Sequence, residues 1–430
     1  MNNQVLEIRL SPKGIKPVRN GHPWVFRNAL GGRPRPAALP PDVLRTVTGN
    51  GLCWDHTRPA IVSDPTGTPI GWGIYNEASR LALRMINRNP SSAIHRGTFE
   101  ELIRAACRRR DSLFLQGDTD AFRLLFGEGD GFPGLVADRF GTDLVLEFSG
   151  AFAWDNRRWI AEEFRRTCSA ERIRLLPDRE MLGREGVSPT DDREGDRDHD
   201  DAREQDAGDA SSSVVIHENG LPWRVRPGSG QKTGHYSDQR ENRRRAGELA
   251  RGCAVLDAFC YHGGFGLTAL RCGADRVVCV DSSGAALEML EENRSLQEAP
   301  RERIEVMRGD VFEMLRADAV VPEGVASFDL VILDPPKLAP ARRHRDAGLR
   351  AYKDLNMAAL RLMKPGARLI TFSCSGVVTR EEFRTALAWA AVDARRVVRI
   401  EEVYSQGADH PVPLHFPEAE YLKGYLLALD

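Results

Sequence analysis

From residue 214 onward, short continuous apolar runs alternate with longer stretches whose apolar residues recur every three or four positions. The runs predict strands at 254–259, 276–281, 304–307, 328–333, 368–372, 396–403 and 421–428. The longer stretches predict helices at 266–272, 284–296, 349–363 and 380–391. Strands alternating with helices imply an α/β, Rossmann-like, mostly parallel seven-stranded sheet covered on both faces. Ligands would then bind at the carboxyl ends of its strands.

The pattern is different before residue 188. Residues 1–80 show short alternating runs broken by Gly21-His22-Pro23, Asp64-Pro65-Thr66-Gly67 and Thr68-Pro69, which predicts a small β-rich domain. There Trp24 and Phe26 either pack in the core or stack on bases beside Lys13, Lys16 and Arg19, and core packing is the more frequent fate of strand aromatics. Residues 81–187 predict a central α+β domain with a helix at 98–115 and strands at 135–138 and 143–148. Its loop Gly127-Glu128-Gly129-Asp130-Gly131 needs positive backbone angles and carries acids that either face a ligand or decorate a surface turn. Residues 188–213, rich in Asp, Glu, Arg and Ser and almost free of apolar residues, predict a disordered acidic insertion before the α/β domain over 214–430.

Charge sharpens this division. The chain of 430 residues has a formal charge of −2, but residues 184–209 hold eleven acids and four arginines, so the rest carries +5. A modestly basic body suits a nucleic-acid partner without specifying one. Eight cysteines lack Cys-x-x-Cys spacing or a nearby histidine pair, which indicates no metal and predicts reduced thiols. No apolar run reaches the roughly 20 residues needed to span a bilayer, so a cytoplasmic protein without a membrane partner is expected. Only seven of the sixty basic residues are lysine, and Lys232, Lys337, Lys364 and Lys423 fall in motif-like stretches.

The first strand of the α/β domain ends in Asp257-Ala258-Phe259-Cys260-Tyr261-His262-Gly263-Gly264-Phe265-Gly266. The Gly-x-Gly-x-x-Gly spacing that cradles a pyrophosphate is absent. An acid ahead of the glycines suits a cofactor with an amino group and a sulfonium, namely S-adenosyl-L-methionine. Asp281 ends the next strand, where it can accept from ribose hydroxyls, and Asp310 follows the third, near an adenine amino group. Phe259 and Gly263 belong to the same loop, and Gln239 or Tyr236, from a polar stretch ahead of the sheet, would cover the cofactor.

Two further motifs, Asp334-Pro335-Pro336-Lys337 and Ser373-Cys374-Ser375, each close a predicted buried strand. Pyrimidine C5 is a poor nucleophile, so its methylation requires a thiolate to add at C6 before the methyl is taken. Cys374 is the candidate nucleophile, although buried cysteines are commonly inert. Asp334, on the neighbouring strand, would hydrogen-bond the N3 and N4 edge of cytosine. Lys337 and Lys232 are candidate substrate contacts. Arg240 either binds RNA phosphate or lies on a solvated helix face.

With those residues in view, the chain resembles the class I S-adenosylmethionine-dependent 23S rRNA cytosine-5 methyltransferases that carry an N-terminal PUA domain. The resemblance runs nearly end to end. It rests on Gly21-His22-Pro23-Trp24-Val25-Phe26, residues 127–135, Gln231-Lys232-Thr233-Gly234, Asp238-Gln239-Arg240, the 257–266 loop, Asp334-Pro335-Pro336-Lys337, Ser373-Cys374-Ser375, Asp409-His410-Pro411 and Tyr421-Leu422-Lys423. It implies a PUA-like RNA-binding domain, a central domain near RNA and a class I methyltransferase domain. Cofactor positions fall on Asp257, Phe259, Asp281 and Asp310, and the nucleophile on Cys374. The chain departs from the family at His235-Tyr236-Ser237, His262 and Leu338. A homodimer is compatible with the sequence but not specified by it. Competing expectations are an rRNA methyltransferase acting on a guanine nitrogen, a non-catalytic ribosome-assembly factor, and, more distantly, a nicotinamide-dependent oxidoreductase.

Overall fold

The apolar runs Val277–Val280 and Leu330–Leu333 do not alternate, and the structure, a computed structural model, buries them on both sides of a central sheet. It describes residues 4–114, 117–189, 213–228, 233–318, 320 and 327–430. The predicted acidic insertion at 188–213 lies outside the described residues except at its ends, as does Lys232. The chain divides into two compact units. The first comprises Met1–Val214, Arg226–His235 and Ala408–Ala419, and the second Val215–Val225, Tyr236–Gly407 and Glu420–Asp430.

In the second unit seven strands form one sheet: Ala254–Ala258, Arg276–Asp281, Ile304–Arg308, Phe328–Leu333, Met363–Ser373, Val398–Tyr404 and Lys423–Leu429. Numbered along the chain, they lie in the order 3-2-1-4-5-7-6, and the seventh is antiparallel to both of its neighbours. The order reverses direction at the first strand, which sits between the second and the fourth. The carboxyl edge at such a reversal is where a crevice for a ligand opens. Helices Gly264–Arg271, Gly284–Leu296, Arg345–Arg361 and Arg380–Ala394 connect the strands. Two elements were not anticipated: the hairpin Val214–Glu218/Leu221–Val225 and the short helix Val311–Arg316.

The first unit holds a six-stranded sheet from residues 6–87 and a four-stranded sheet formed by Ala121–Phe126, Leu135–Phe140, Asp143–Phe148 and Arg172–Pro177. Helices Arg96–Leu113 and Arg157–Cys168 cover the latter, and one apolar core runs from Val5 and Trp72 to Phe148 and Phe164.

Several charged residues of this unit are spent on its own architecture. Arg110, 1% exposed, donates to both carboxylate oxygens of Asp130 at 2.8 and 2.7 Å, to the Arg123 carbonyl and to the Asp409 carbonyl. Arg123 forks onto Asp138, which also accepts from the Thr233 hydroxyl, and Asp409 accepts from the Arg123 backbone N–H at 2.8 Å. Glu128 accepts from the Trp24 indole at 3.0 Å. The acids of the 127–131 loop therefore neither face a ligand nor decorate a surface turn. Gly127, Gly131 and Gly134 do adopt positive φ (47°, 83°, 71°), and Gly129 does not. Phe26, expected in the core, is 50% exposed.

Candidate active site

After the first strand the chain turns through three residues with positive φ: Phe259 (64°), Tyr261 (50°) and Gly263 (85°). Two non-glycine residues held in the left-handed region mark a loop whose shape is imposed by its surroundings. Two carboxylates hold it. Asp257 accepts from the Gly266 N–H at 2.7 Å, and Asp281 accepts from the Tyr261 N–H and from the Ser283 N–H at 2.9 Å. Gly266 is required for packing: a Cβ there would lie 2.5 Å from the Cys279 sulfur.

Asp257 is fully buried, and its second oxygen has no protein partner. Burial, aided by the nearby carboxylates Asp334 and Asp281 and opposed by the Gly266 N–H and the charge of Arg243, pushes its pKa up to about 7. A buried carboxylate with an open oxygen favours a cationic or donor-bearing ligand at this edge, and the sulfonium and amino group of S-adenosylmethionine provide that chemistry. Asp281 lies at the carboxyl end of the second strand, as expected for a ribose contact. Asp310 is exposed and caps helix Val311–Arg316 through the Glu313 N–H, so that part of its acceptor capacity is used locally.

The fourth and fifth strands are parallel neighbours, with Leu333 opposite Thr371. Their ends bring Asp334-Pro335 and Cys374 together, and the Cys374 Sγ lies 3.7 Å from the Pro335 carbonyl. Asp334 is held from the other side. The Gln239 amide donates to its Oδ2 at 3.0 Å, while the Gln239 carbonyl accepts from Asn242 at 2.7 Å. Gln239, expected at the cofactor, is thus a buried brace for Asp334. Tyr236 joins the same cluster, edge-on to Tyr261 at 5.4 Å; burial first, then Tyr261, Asp334, Asp238 and Cys374, pushes its hydroxyl pKa upward.

Arg240 corrects both expectations made for it. It is 2% exposed, with its guanidinium on Glu241 at 2.8 Å, and so offers neither a phosphate contact nor a solvated face. Arg243 is likewise buried on Glu218. Helix Arg240–Leu249 turns these arginines inward because their carboxylate partners compensate the desolvation. Lys337 is exposed on the loop after the fourth strand. Three neighbours escaped the sequence reading as site residues. Lys423 donates to the Ser375 carbonyl at 2.8 Å, Tyr352 meets the Ser375 hydroxyl at 3.0 Å, and Tyr421 donates to Asp238.

Comparison with known proteins identifies the family and the fold. Residues 194–374 match the family model of S-adenosylmethionine-dependent methyltransferases, and residues 8–88 match that of PUA-like domains. Ribosomal RNA large subunit methyltransferase I of Shewanella frigidimarina is 32% identical over 433 residues, covering 97% of this chain and 98% of that protein. The protein of the same name from Erwinia tasmaniensis is 34% identical over 411 residues, covering 95% and 96%. A SAM-dependent methyltransferase structure from Streptococcus mutans shares the fold with a TM-score of 0.76 at 16% identity, covering 98% of this chain and all of the other. With the 3-2-1-4-5-7-6 sheet, the acid-braced loop and a 32–34% identity to these relatives that extends over nearly the whole chain, the chain belongs to the ribosomal RNA large subunit methyltransferase I family of S-adenosylmethionine-dependent RNA methyltransferases.

Proposed function

We propose that the enzyme methylates C5 of a cytosine in large-subunit rRNA through a covalent adduct at Cys374. The observation that carries this reading is the placement of the Cys374 thiol against the Asp334-Pro335 strand end, 3.7 Å from the Pro335 carbonyl, at the carboxyl edge of the sheet. The rRNA substrate is the one named in its relatives, ribosomal RNA large subunit methyltransferase I.

The Cys374 thiolate adds to C6 of the cytosine, and the electron pair of the C5–C6 double bond moves toward N3. Asp334, oriented by Gln239 and carrying the proton, donates to N3 where that charge develops and accepts from the N4 amino group, and N3 returns the proton when the thiolate leaves. The cofactor supplies a methyl group on a sulfonium, which C5 takes. Loss of the C5 proton to a base then expels the thiolate and restores the aromatic ring. Asp257, Phe259, Gly263, Asp281 and Asp310 would hold the cofactor, with Tyr236 beside them. Lys337, exposed, is positioned for phosphate. In the first unit, the half-exposed Phe26 supports RNA stacking by the PUA-like domain.

The test is nucleoside mass spectrometry of 23S rRNA incubated with labelled S-adenosylmethionine and either wild type or Cys374→Ala. Labelled 5-methylcytosine from wild type alone supports the reading. A different labelled nucleoside from both proteins would make Cys374 structural and transfer the reaction to another base atom, such as a guanine nitrogen.

A further inference from the structure

Lys423 opens the seventh strand directly opposite Ser373, the residue before Cys374, so its stem runs alongside the strand end that presents the thiol. It is 3% exposed, and its ammonium donates to the carbonyl of Ser375, the residue after Cys374. Among the described residues no carboxylate forms an ion pair with it. A buried ammonium without a carboxylate is costly, and such a cost is retained where the charge has a use.

Three charged or titratable groups act on Lys423: Cys374 from the fifth strand end, Arg380 from the following helix and Glu420 from the loop before the seventh strand. Arg380 and Glu420 pair with each other at 2.6 Å, so their fields at Lys423 largely offset each other, which leaves the thiol as the acidic group facing the ammonium. Around the thiol itself stand Tyr352, whose hydroxyl meets that of Ser375 at 3.0 Å, Tyr236, and Asp334 at the neighbouring strand end.

We propose that Lys423 is the counter-ion of Cys374, its ammonium stabilising the thiolate that adds to the pyrimidine. The inference rests on the reading of Cys374 as nucleophile. In the ionisation the S–H bond breaks, the electron pair stays on sulfur, the proton passes to water, and Lys423 keeps its three protons. Lys423 is thus a positioning residue whose charge acts through the thiol. Burial lowers its own pKa to about 8, so the charge is present at neutral pH and fades above that value.

The experiment is the pH dependence of iodoacetamide alkylation of Cys374 in the full chain, read from the mass of the peptide that carries it, in wild type, Lys423→Gln, Lys423→Met and Lys423→Arg. The neutral variants should lower the rate at pH 7 about tenfold and move the midpoint of the profile up by about one unit, and Lys423→Arg should restore most of the rate. Gln keeps a donor toward the Ser375 carbonyl without charge, which separates the electrostatic role from a structural one and serves where Met does not fold. A Cys374 profile unchanged in folded Lys423→Gln would overturn the counter-ion. Methylation surviving in Cys374→Ala would instead overturn the nucleophile and, with it, any catalytic use of the pair.

Discussion

Asp130 in the first unit and Asp257 in the second are both buried carboxylates, yet they meet opposite surroundings. Asp130 receives two guanidinium nitrogens of Arg110 and the Phe126 N–H, whereas Asp257 receives one backbone N–H and leaves an oxygen open. Burial alone would raise Asp130, but Arg110 holds it below the usual carboxylate range. Burial prevails at Asp257 and takes it to about 7. A saturated carboxylate is a fastener, and an under-saturated one at a sheet edge keeps an acceptor that the protein itself does not use. Position in the fold decides which a given Asp becomes.

Removing Cys374 should have the largest effect: Cys374→Ala lowers turnover at least about a thousandfold while thermal unfolding stays within a few degrees of wild type. Asp130→Asn should do the reverse in kind. It leaves Arg110 as a buried uncompensated charge and costs about 3–5 kcal/mol, measured as a lowered denaturation midpoint. A full-stability Asp130→Asn would break the comparison.

Asp257→Asn should weaken S-adenosylmethionine binding by about 1–2 kcal/mol, read by calorimetry, with little loss of stability. Its pH behaviour sharpens the contrast. The folded chain holds the Asp257 proton more tightly than the unfolded one between 3.8 and about 7, so its contribution to stability falls as pH rises across that window. Cofactor affinity should rise over the same window, and both slopes should flatten in Asp257→Asn. Asp130 has the opposite sign: its contribution is present above the ordinary value of 3.8 and is lost as pH falls through its lowered folded value. The smallest expected effect is at Lys337. Lys337→Ala should reduce the salt dependence of RNA binding by about one counterion and leave cofactor binding unchanged. Arg240→Ala, although it removes the same formal charge, should lower stability instead.

The strands at 276–281 and 328–333 and the helix at 284–296 match their sequence limits because unbroken apolar runs and a Ser283 cap fix them physically. The fifth strand extends back to Met363 through Lys364-Pro365-Gly366, a turn-like stretch that reaches the sheet by way of an irregular register and gives no strand signal. The hairpin at 214–225 left a legible mark that went unread: Asn219-Gly220, both at positive φ (52° and 74°), the turn chemistry of a tight hairpin. At the site, Cys374 and Asp334 could be paired from strand adjacency alone. The brace of Gln239 could not, because its partner Asp334 lies 95 residues away, and neither could the inward turn of Arg240, whose burial is set by how its helix packs and not by its neighbour Glu241. Lys423 had a faint signal as one of few lysines, but its meaning depends on a carbonyl 48 residues away.

Thr233 and Asp409 belong to the first compact unit although the chain around them builds the second. Division in space and division along the chain therefore do not coincide, and no single cut separates the protein into two self-sufficient pieces. A fragment starting at Val214 would carry the whole catalytic sheet but strand Asp409 and Thr233 without Arg123 and Asp138, exposing polar groups that had been made for burial. Recombination that exchanged the amino-terminal half as a cassette would meet the same obstacle. The two halves are bound to a shared inheritance, since a change in one is tolerated only where the returning segments of the other still fit.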